Sequence, residues 1–153
     1  MEDKYLETFE TWNNMADLYQ EKFMNLSIYD ETYDFICENL TKSQAKILDI
    51  GCGPGNITKY LLSKREDFVI HGIDISPNMI ELAKINNPTA NFSVMDIRKI
   101  DQLESMFDAV ICGFCIPYLS SQETDQLIFN SAKLLNANGF LYISFVEGDP
   151  NFS

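Results

Sequence analysis

A chain of 153 residues with 46% hydrophobic and 22% charged residues is long enough for one domain with a single core. Its net charge of −12 disfavours a nucleic-acid partner, because binding to a phosphate backbone needs clustered lysine and arginine. No apolar run reaches the roughly 18 residues of a membrane span, and residues 1–10 lack the pattern of a signal peptide, so we expect a cytoplasmic protein without a membrane partner.

The first 44 residues predict two amphipathic helices. Aromatic and alanine positions from Tyr5 to Phe23 recur every three or four residues, which marks one helical face. A second pattern of this kind runs from Tyr29 to Leu40, and Ser27 lies where it could cap that helix. We treat 1–44 as an N-terminal helical segment of the same domain as the core, 45–147.

From residue 46 onwards, predicted strands alternate with predicted helices. The strands are expected at 46–50, 68–75, 91–96, 107–114 and 140–146, and the helices at 55–64, 76–88 and 121–135. Residues 97–106 predict a loop with one turn. This alternation is typical of βαβ units, so we predict an α/β fold with a mostly parallel sheet.

A glycine-rich turn, "GCGPG", follows the first predicted strand and contains Gly51, Gly53 and Gly55. Glycine permits positive φ and lets a ligand approach the backbone, although a tight turn with nothing bound is the simpler reading. The spacing differs from the G-x-G-x-x-G of dinucleotide-binding folds, and Pro54 lacks an N–H for a phosphate. Asp49 precedes the turn, and residues 47–58 contain no lysine or arginine. The turn therefore favours a ligand with a positive group and no phosphates.

Two further predicted strands also end in an acid, Asp74 and Asp96. Asp74 lies 23 residues after Gly51, near the spacing of roughly 20 at which an acid accepts hydrogen bonds from ribose hydroxyls. Capping of the next helix explains Asp74 alone equally well. A carboxylate at Asp96 is suited to accept a hydrogen bond from an exocyclic amine. A ligand with an amine, a ribose, an adenine and a cationic centre is S-adenosylmethionine.

Five segments resemble, in order and spacing, the motif series of class I S-adenosylmethionine-dependent methyltransferases. They are "LDIGCGPGN", "GIDISPNMI", "FSVMDIRKI", "FDAVICGFCIPYL" and "LLNANGFLYISF", so the resemblance runs from about Lys46 to Val146. It implies a Rossmann-like sheet of about five strands in the order 3-2-1-4-5, with flanking helices. It also implies S-adenosylmethionine as cofactor and methyl transfer to an acceptor that the sequence does not identify.

The resemblance implies roles for single residues as well. Asp49 and the backbone of 51–55 would meet the methionine part of the cofactor, and Asp74 would bind the ribose hydroxyls. Ile75 and Met79 would flank the adenine, while Asp96 and the backbone of Ile97 would bind its amine. The segment from Cys112 to Phe114 would lie near the sulfonium. The predicted cofactor-binding residues are Tyr19, Asp49, Gly51, Cys52, Gly53, Gly55, Asp74, Ile75, Met79, Asp96, Ile97 and Cys112.

The same resemblance has implications for both ends of the chain. Similar enzymes close a helix over the cofactor, and "WNNMADLYQEKF" at 12–23 resembles that lid. Tyr19 is our candidate for a lid contact, and a core aromatic on the helical stripe is the alternative. Family members usually continue with a helix and strands six and seven, which this chain lacks, so strand five becomes an apolar edge. Truncation, a homodimer through this edge and a minimal domain are three explanations, of which we favour truncation.

The sequence identifies no catalytic residue. Methyl transfer needs a general base only if the acceptor must lose a proton. The sole histidine, His71, lies inside the second predicted strand, and we interpret it as structural. Tyr118 follows the fourth strand and is a candidate for orienting the acceptor, which we expect to be a small molecule.

Three alternative functions stay open. "CGFC" at 112–115 has C-x-x-C spacing, and with Cys52 it suggests a redox or metal module. We nevertheless predict no metal, and we expect reduced thiols. A nicotinamide- or flavin-dependent oxidoreductase fits the turn less well. A module that binds the cofactor without catalysis shares every cofactor residue with the leading hypothesis.

Overall fold

The computed structural model describes residues 2–145, which contain six α-helices and five β-strands. The helices are α1 (Glu2–Asn14), α2 (Ala16–Phe23), α3 (Asp30–Asn39), α4 (Asn56–Lys64), α5 (Pro77–Asn86) and α6 (Ser121–Lys133). The strands are β1 (Lys46–Ile50), β2 (Val69–Asp74), β3 (Asn91–Val94), β4 (Phe107–Gly113) and β5 (Leu135–Ser144). Two short 3₁₀ helices, Ile97–Gln102 and Ile116–Tyr118, lie before and after β4.

The strands form one parallel sheet in the order β3-β2-β1-β4-β5. In the central strand, Asp49 is aligned with Gly72 of β2 on one side and with Ile111 of β4 on the other. The direction in which the sheet grows reverses between β1 and β4, and ligands of such sheets bind beyond the strand ends at this point. The α/β class, the parallel pairing and the strand order are therefore confirmed.

Apolar side chains fill both faces of the sheet, as expected for parallel strands covered by helices on both sides. On one face, Ile47 and Ile111 pack in a cluster with Leu61 of α4. On the other face, Leu48 packs in a cluster with Leu127 of α6. Successive residues of β1 thus point to opposite cores, which follows from the two-residue period of a strand. The two cores fix the strand ends at which the functional residues lie.

The N-terminal helices differ from the sequence prediction in two details. The helical face from Tyr5 to Phe23 is divided at Met15, whose φ of −102° and ψ of 13° leave the helical region, so α1 and α2 are separate helices. The prediction that Ser27 caps α3 is wrong, because α3 begins at Asp30 after Tyr29. Ser27 contributes its carbonyl oxygen instead, which accepts a 3.1 Å hydrogen bond from the Asp30 N–H.

Helices α5 and α6 begin with side-chain caps. The Ser76 hydroxyl accepts a hydrogen bond from the Met79 N–H, and Pro77 is the first helical residue. In α6, Ser120 and Glu123 form a reciprocal capping box. These caps fix where each helix begins after its strand.

Strand β5 begins five residues earlier than the predicted start at 140. Phe107 of β4 is aligned with Leu135, but Ala109 is aligned with Phe140, so the "NANG" residues form an irregularity in the pairing. Asn138 has a φ of 67°, which fits this bend. Residue 146, the last of the predicted strand, and residue 147, the last of the predicted core, lie outside the described residues. Within 2–145, no helix is long and apolar enough to span a membrane.

Candidate functional site

The glycine turn after β1 has a backbone that side chains would obstruct. Gly51 and Gly53 have φ values of 62° and 56°, in the left-handed region that favours glycine. A Cβ on Gly51 would lie 2.6 Å from the Cys115 Sγ, which is too close for two non-bonded atoms. Gly55 has a φ of 83° and precedes α4, and its own Cβ would meet the amide nitrogen of Asn87. The turn therefore has a backbone conformation and a close packing that favour glycine at these three positions.

Tyr19 of α2 lies over this turn. Its Cε1 atom is 3.7 Å from the position that a Cβ on Gly53 would take, which is an ordinary van der Waals contact. Burial raises the pKa of Tyr19 to about 12, with smaller contributions from Tyr118 and Asp74. The phenol is therefore protonated at neutral pH and has an O–H group that a ligand could accept from. The predicted lid position of Tyr19 agrees with this geometry.

Asp74 is held at the end of β2 by backbone donors. One carboxylate oxygen accepts a 2.9 Å hydrogen bond from the Gly53 N–H, and the other accepts one of the same length from the Ser76 N–H. Burial raises its pKa, while these hydrogen bonds act in the opposite direction. Each carboxylate oxygen has a second lone-pair site, so Asp74 can accept further hydrogen bonds.

Asp49 lies beneath the turn and is almost completely buried, with 1% of its surface exposed. It accepts a 2.7 Å hydrogen bond from the Thr58 hydroxyl of α4. Burial raises the pKa of Asp49 to about 7; the bond from Thr58 opposes that shift, and the charge of Asp74 adds to it. A carboxyl group in this position exchanges its proton near neutral pH, and a positive ligand above it would favour the ionised form.

Asp96 differs from its predicted setting. Strand β3 ends at Val94, and Asp96 instead caps the 3₁₀ helix Ile97–Gln102 by accepting a hydrogen bond from the Arg98 N–H. The Arg98 guanidinium also pairs with this carboxylate at 2.7 Å. An adenine amine would therefore have to share Asp96 with Arg98.

Seven of the predicted residues line one small cavity of about 170 Å³ above the strand ends. They are Tyr19, Gly51, Gly53, Asp74, Ile75, Met79 and Ile97. The same cavity is lined by Thr8, Phe9 and Trp12 of α1, which our list of cofactor-binding residues does not include. The helical spacing of Phe9 and Trp12 shows that they share a buried face, but it does not show which part of the protein that face covers.

The remaining predicted residues do not line this small cavity. The side chain of Cys52 packs with Ile80 and Phe92, although the residue also borders a second cavity. Cys112 is fully buried in the core, and the two residues after it, Gly113 and Phe114, reach the cavities instead.

The second cavity is larger, at about 500 Å³, which falls within the range typical of small-molecule sites. Tyrosines of α3 and α4 line it together with residues of α2 and the end of β4. The two cavities share one wall, which we call the shared wall. It consists of Trp12, Tyr19, Gly51, Gly113, Phe114 and Tyr118. The two cavities are therefore adjacent.

Phe114 holds an unusual backbone conformation in the shared wall. Its φ of 58° is rare for a bulky residue. The Phe114 N–H donates to both the carbonyl oxygen and the hydroxyl oxygen of Ser144, at 2.9 and 3.2 Å. Its ring packs 4.9 Å from the ring of Tyr29. Strain of this kind is typical of functional positions.

Helices α1 and α2 are attached to α5 by hydrogen bonds. The side-chain oxygen of Asn13 accepts hydrogen bonds from the Ser76 hydroxyl at 2.7 Å and from the Asn78 N–H at 3.0 Å. The Asn13 carbonyl oxygen accepts a third one from the Asn78 side chain at 2.7 Å. Farther along, the Asn86 amide donates to the Gln20 side chain at 2.6 Å. Helices α1 and α2 therefore cover the small cavity as a lid that hydrogen bonds hold against α5.

The environments of the cysteines and of the histidine indicate structural roles for these residues. All four cysteines are free, and Cys115 donates a hydrogen bond to the Ile50 carbonyl oxygen. Its hydrogen bond with Cys112 and its burial raise the pKa of the Cys115 thiol. Within residues 2–145, no group of three His, Cys, Asp or Glu side chains is arranged to hold a metal. His71 lies 2.7 Å from the Ser93 hydroxyl, and burial lowers its pKa.

Comparison with known proteins matches residues 47–139 to the Methyltransferase domain family. A provisionally named methyltransferase, 235L, of Invertebrate iridescent virus 6 is 30% identical over 138 residues, which cover 90% of this chain and 49% of that protein. An uncharacterized methyltransferase of Oceanobacillus iheyensis is 28% identical over 157 residues, with 97% of this chain and 68% of that protein covered. The chain thus spans about half the length of the viral relative.

A solved structure supports the same assignment. The TehB-like SAM-dependent methyltransferase from Corynebacterium glutamicum is similar with a TM-score of 0.69 and 29% sequence identity, over 97% of this chain and 76% of that chain. The family match covers more than half of the chain, and the fold and strand order agree with it. The chain therefore belongs to the methyltransferase domain family, among the class I S-adenosylmethionine-dependent methyltransferases.

Proposed function

We propose that this protein transfers a methyl group from S-adenosylmethionine to a small-molecule acceptor. The observation that carries the proposal is the shared wall, across which the small cavity with Asp74 and the glycine turn meets the large cavity. When bound, S-adenosylmethionine supplies an activated methyl carbon. The protein's own contribution is then alignment, exclusion of water and electrostatics.

The small cavity fits the nucleoside part of this cofactor. Asp74 has lone pairs free for ribose hydroxyls after its two backbone bonds are counted. Ile75 and Met79 offer apolar surface for an adenine, and the backbone of Ile97 lies at the same cavity for its amine. Asp96 would assist that contact while it remains paired with Arg98.

The glycine turn and the acids near it suit the cationic end of the cofactor. The backbone of 51–55 is free of side chains at Gly51, Gly53 and Gly55, and Asp49 lies below it. Tyr19 covers the turn from above and excludes water. The large cavity beyond the shared wall has the size of a small-molecule site, and Tyr118 borders it as the candidate that orients the acceptor. A cytoplasmic location and a homodimer through β5 stay predictions.

Calorimetry tests cofactor binding directly. We expect S-adenosylmethionine and S-adenosylhomocysteine to bind in the micromolar range and NAD to show no binding. Asp74→Ala should weaken binding of the first two by at least about tenfold, since it removes the ribose acceptor. Asp101→Ala, which changes an exposed acid on the 3₁₀ helix, is the matched control and should bind like the wild type. Absence of binding to the wild type, or equal binding of NAD, contradicts the proposal.

A further inference from the structure

Many of the residues that line the large cavity are aromatic. Eight aromatic residues line it. Two ring pairs show how closely these walls pack: Tyr29 and Phe114 have centroids 4.9 Å apart, and Tyr33 and Tyr60 have centroids 5.7 Å apart. Aromatic faces carry negative potential and attract cations, most strongly where water is excluded. The cavity therefore has apolar walls, and several of its aromatic ring faces are suited to contact a positive group.

The charged residues at this cavity add to that preference. Among the described residues that line it, Asp30 is the carboxylate, and Lys59 is the cation and is exposed to solvent. The buried Asp49 acts on the same region, since its charge contributes to the raised pKa values of Tyr19 and Tyr33. A carboxylate acceptor would face the like charges of Asp30 and Asp49, whereas the one like charge that an ammonium would face in the described lining is the solvent-exposed Lys59.

The chemistry of the described lining residues narrows the acceptor further. A hydroxyl or carbon acceptor needs a general base within hydrogen-bond reach. The described lining of the large cavity contains no histidine, and the phenol of Tyr19, with a pKa of about 12, remains protonated, so the carboxylate of Asp30 is the group left that could act as a base for such an acceptor. An aliphatic amine that is bound as its ammonium ion first loses one proton to water, and the lone pair of the neutral nitrogen is then the nucleophile.

Methylation of an amine transfers the positive charge of the cofactor to the product. The nitrogen lone pair forms the new N–C bond, the C–S bond breaks, and its electron pair stays on sulfur. The positive charge thus moves from sulfur to nitrogen, across the shared wall and into the large cavity. The product ammonium afterwards loses its proton to water. Walls that stabilise a cation there act where charge develops during the reaction.

We propose that the large cavity binds a small molecule with an aliphatic amine on an apolar body, and that the amine nitrogen receives the methyl group. This inference rests on the proposed methyltransferase function. It follows from the aromatic walls, the acid at Asp30 and the absence of a histidine from the described lining.

Matched probes test the proposal. Transfer of a labelled methyl group to 2-phenylethylamine, 2-phenylethanol and 3-phenylpropionate should be measured with the full chain, and binding of each probe should be measured with S-adenosylhomocysteine present. We expect binding and methylation of the amine, with at least tenfold weaker binding of the other two. Equal binding or methylation of the alcohol or the carboxylate overturns the proposal. So does cofactor binding without any binding of the amine.

The results distinguish the proposed methyltransferase function from the proposed substrate class. If S-adenosylhomocysteine itself does not bind, the proposed function fails, whereas the substrate class fails alone when the cofactor binds and the amine does not. Asp30→Asn should lower kcat/KM for the amine about threefold or more, because it removes the acid at the cavity. Glu31→Gln, which changes the next, exposed acid of α3, is the matched control.

A second pair of variants tests the aromatic wall. Tyr29→Leu removes the ring that packs against Phe114, and we expect about fivefold weaker binding of 2-phenylethylamine. Tyr29→Phe keeps the ring and should bind the amine more tightly than Tyr29→Leu does. Affinity for S-adenosylhomocysteine, measured on each variant, reports whether the cofactor site is folded. Equal amine binding by the two variants overturns the role of the ring.

Discussion

At the scale of single residues, a side chain added in the glycine turn has two possible energetic costs. One is a left-handed backbone conformation, and the other is a steric clash with a neighbour. Gly51 and Gly53 have similar positive φ values, but only Gly51 faces a close neighbour, the Cys115 Sγ. An alanine in the left-handed region costs about 1–2 kcal/mol. A clash with a buried neighbour adds about 1–3 kcal/mol. The two positions therefore differ mainly in the clash.

We predict that Gly51→Ala lowers the free energy of unfolding by about 3 kcal/mol, and Gly53→Ala by about 1 kcal/mol. Urea denaturation measures both values. The double variant Gly51→Ala/Cys115→Ala should recover part of the loss, because the sulfur is gone. Equal losses at the two glycines would show that the contact with Cys115 does not matter.

Seven of the predicted residues line one cavity of the candidate site, and several of them could be placed from the sequence because they directly follow strand ends. Asp74 and the glycine turn follow directly from the positions of β1 and β2 in the sequence. The pairing of Asp96 with Arg98 could not be predicted, since it depends on side-chain conformations in a short 3₁₀ helix. Thr8 gives no signal at all, because an isolated threonine in a helix is compatible with any environment.

At the scale of elements, the attachment of α1 to α5 depends on one asparagine. Asn13 makes all three of the described hydrogen bonds between the end of α1 and the start of α5. The Ser76 hydroxyl also caps α5 through the Met79 N–H, so loss of Asn13 leaves that cap in place. The contact therefore fastens the lid without being needed for the helix that it holds.

We predict that Asn13→Ala loosens α1 and α2 while the sheet remains intact. Each hydrogen bond contributes about 1 kcal/mol, so amide exchange in the lid should accelerate at least about tenfold. Hydrogen exchange with mass spectrometry measures this, and affinity for S-adenosylhomocysteine should fall as well. Asn14→Ala, at the neighbouring exposed position, should exchange like the wild type. Unchanged exchange in Asn13→Ala would contradict the role of the lid contact.

Elements with strong local signals were predicted well, and the others were not. Helix α5, predicted at 76–88, starts with a serine cap and a proline, which are strong local signals for a helix start. The break at Met15 has no such signal, because the aromatic spacing continues through it from α1 to α2. The early start of β5 depends on its pairing with β4, which local sequence does not reveal.

At the scale of the whole molecule, the buried Asp49 links folding to pH. Its pKa is about 7 in the folded chain and about 3.8 when exposed, because burial disfavours the charged form. The folded state therefore holds more protons than the unfolded state between about pH 4 and pH 7. The contribution of Asp49 to stability is fully present below its unfolded pKa and is lost as the pH rises through its folded pKa.

We predict that Asp49→Asn removes this dependence. The free energy of unfolding of the variant should exceed that of the wild type near pH 7.5, and the difference should shrink towards pH 4.5. Its slope is at most about 1.4 kcal/mol per pH unit. Denaturant titrations at four pH values measure it. Asp74 shifts in the same direction in both proteins, so the difference isolates Asp49. A difference independent of pH would contradict the assignment.

The hydrogen bonds between Phe114 and Ser144 connect the sheet edge to the shared wall. Within residues 2–145, β5 is paired with β4 alone, so its other edge is open to a further strand. A strand added there in a way that displaces Ser144 would release the constrained backbone of Phe114 and reshape the acceptor pocket. By thermodynamic reciprocity, an acceptor that requires the present shape of Phe114 would weaken the binding of that strand by the same factor. Assembly and substrate affinity would then be two readouts of one coupling energy.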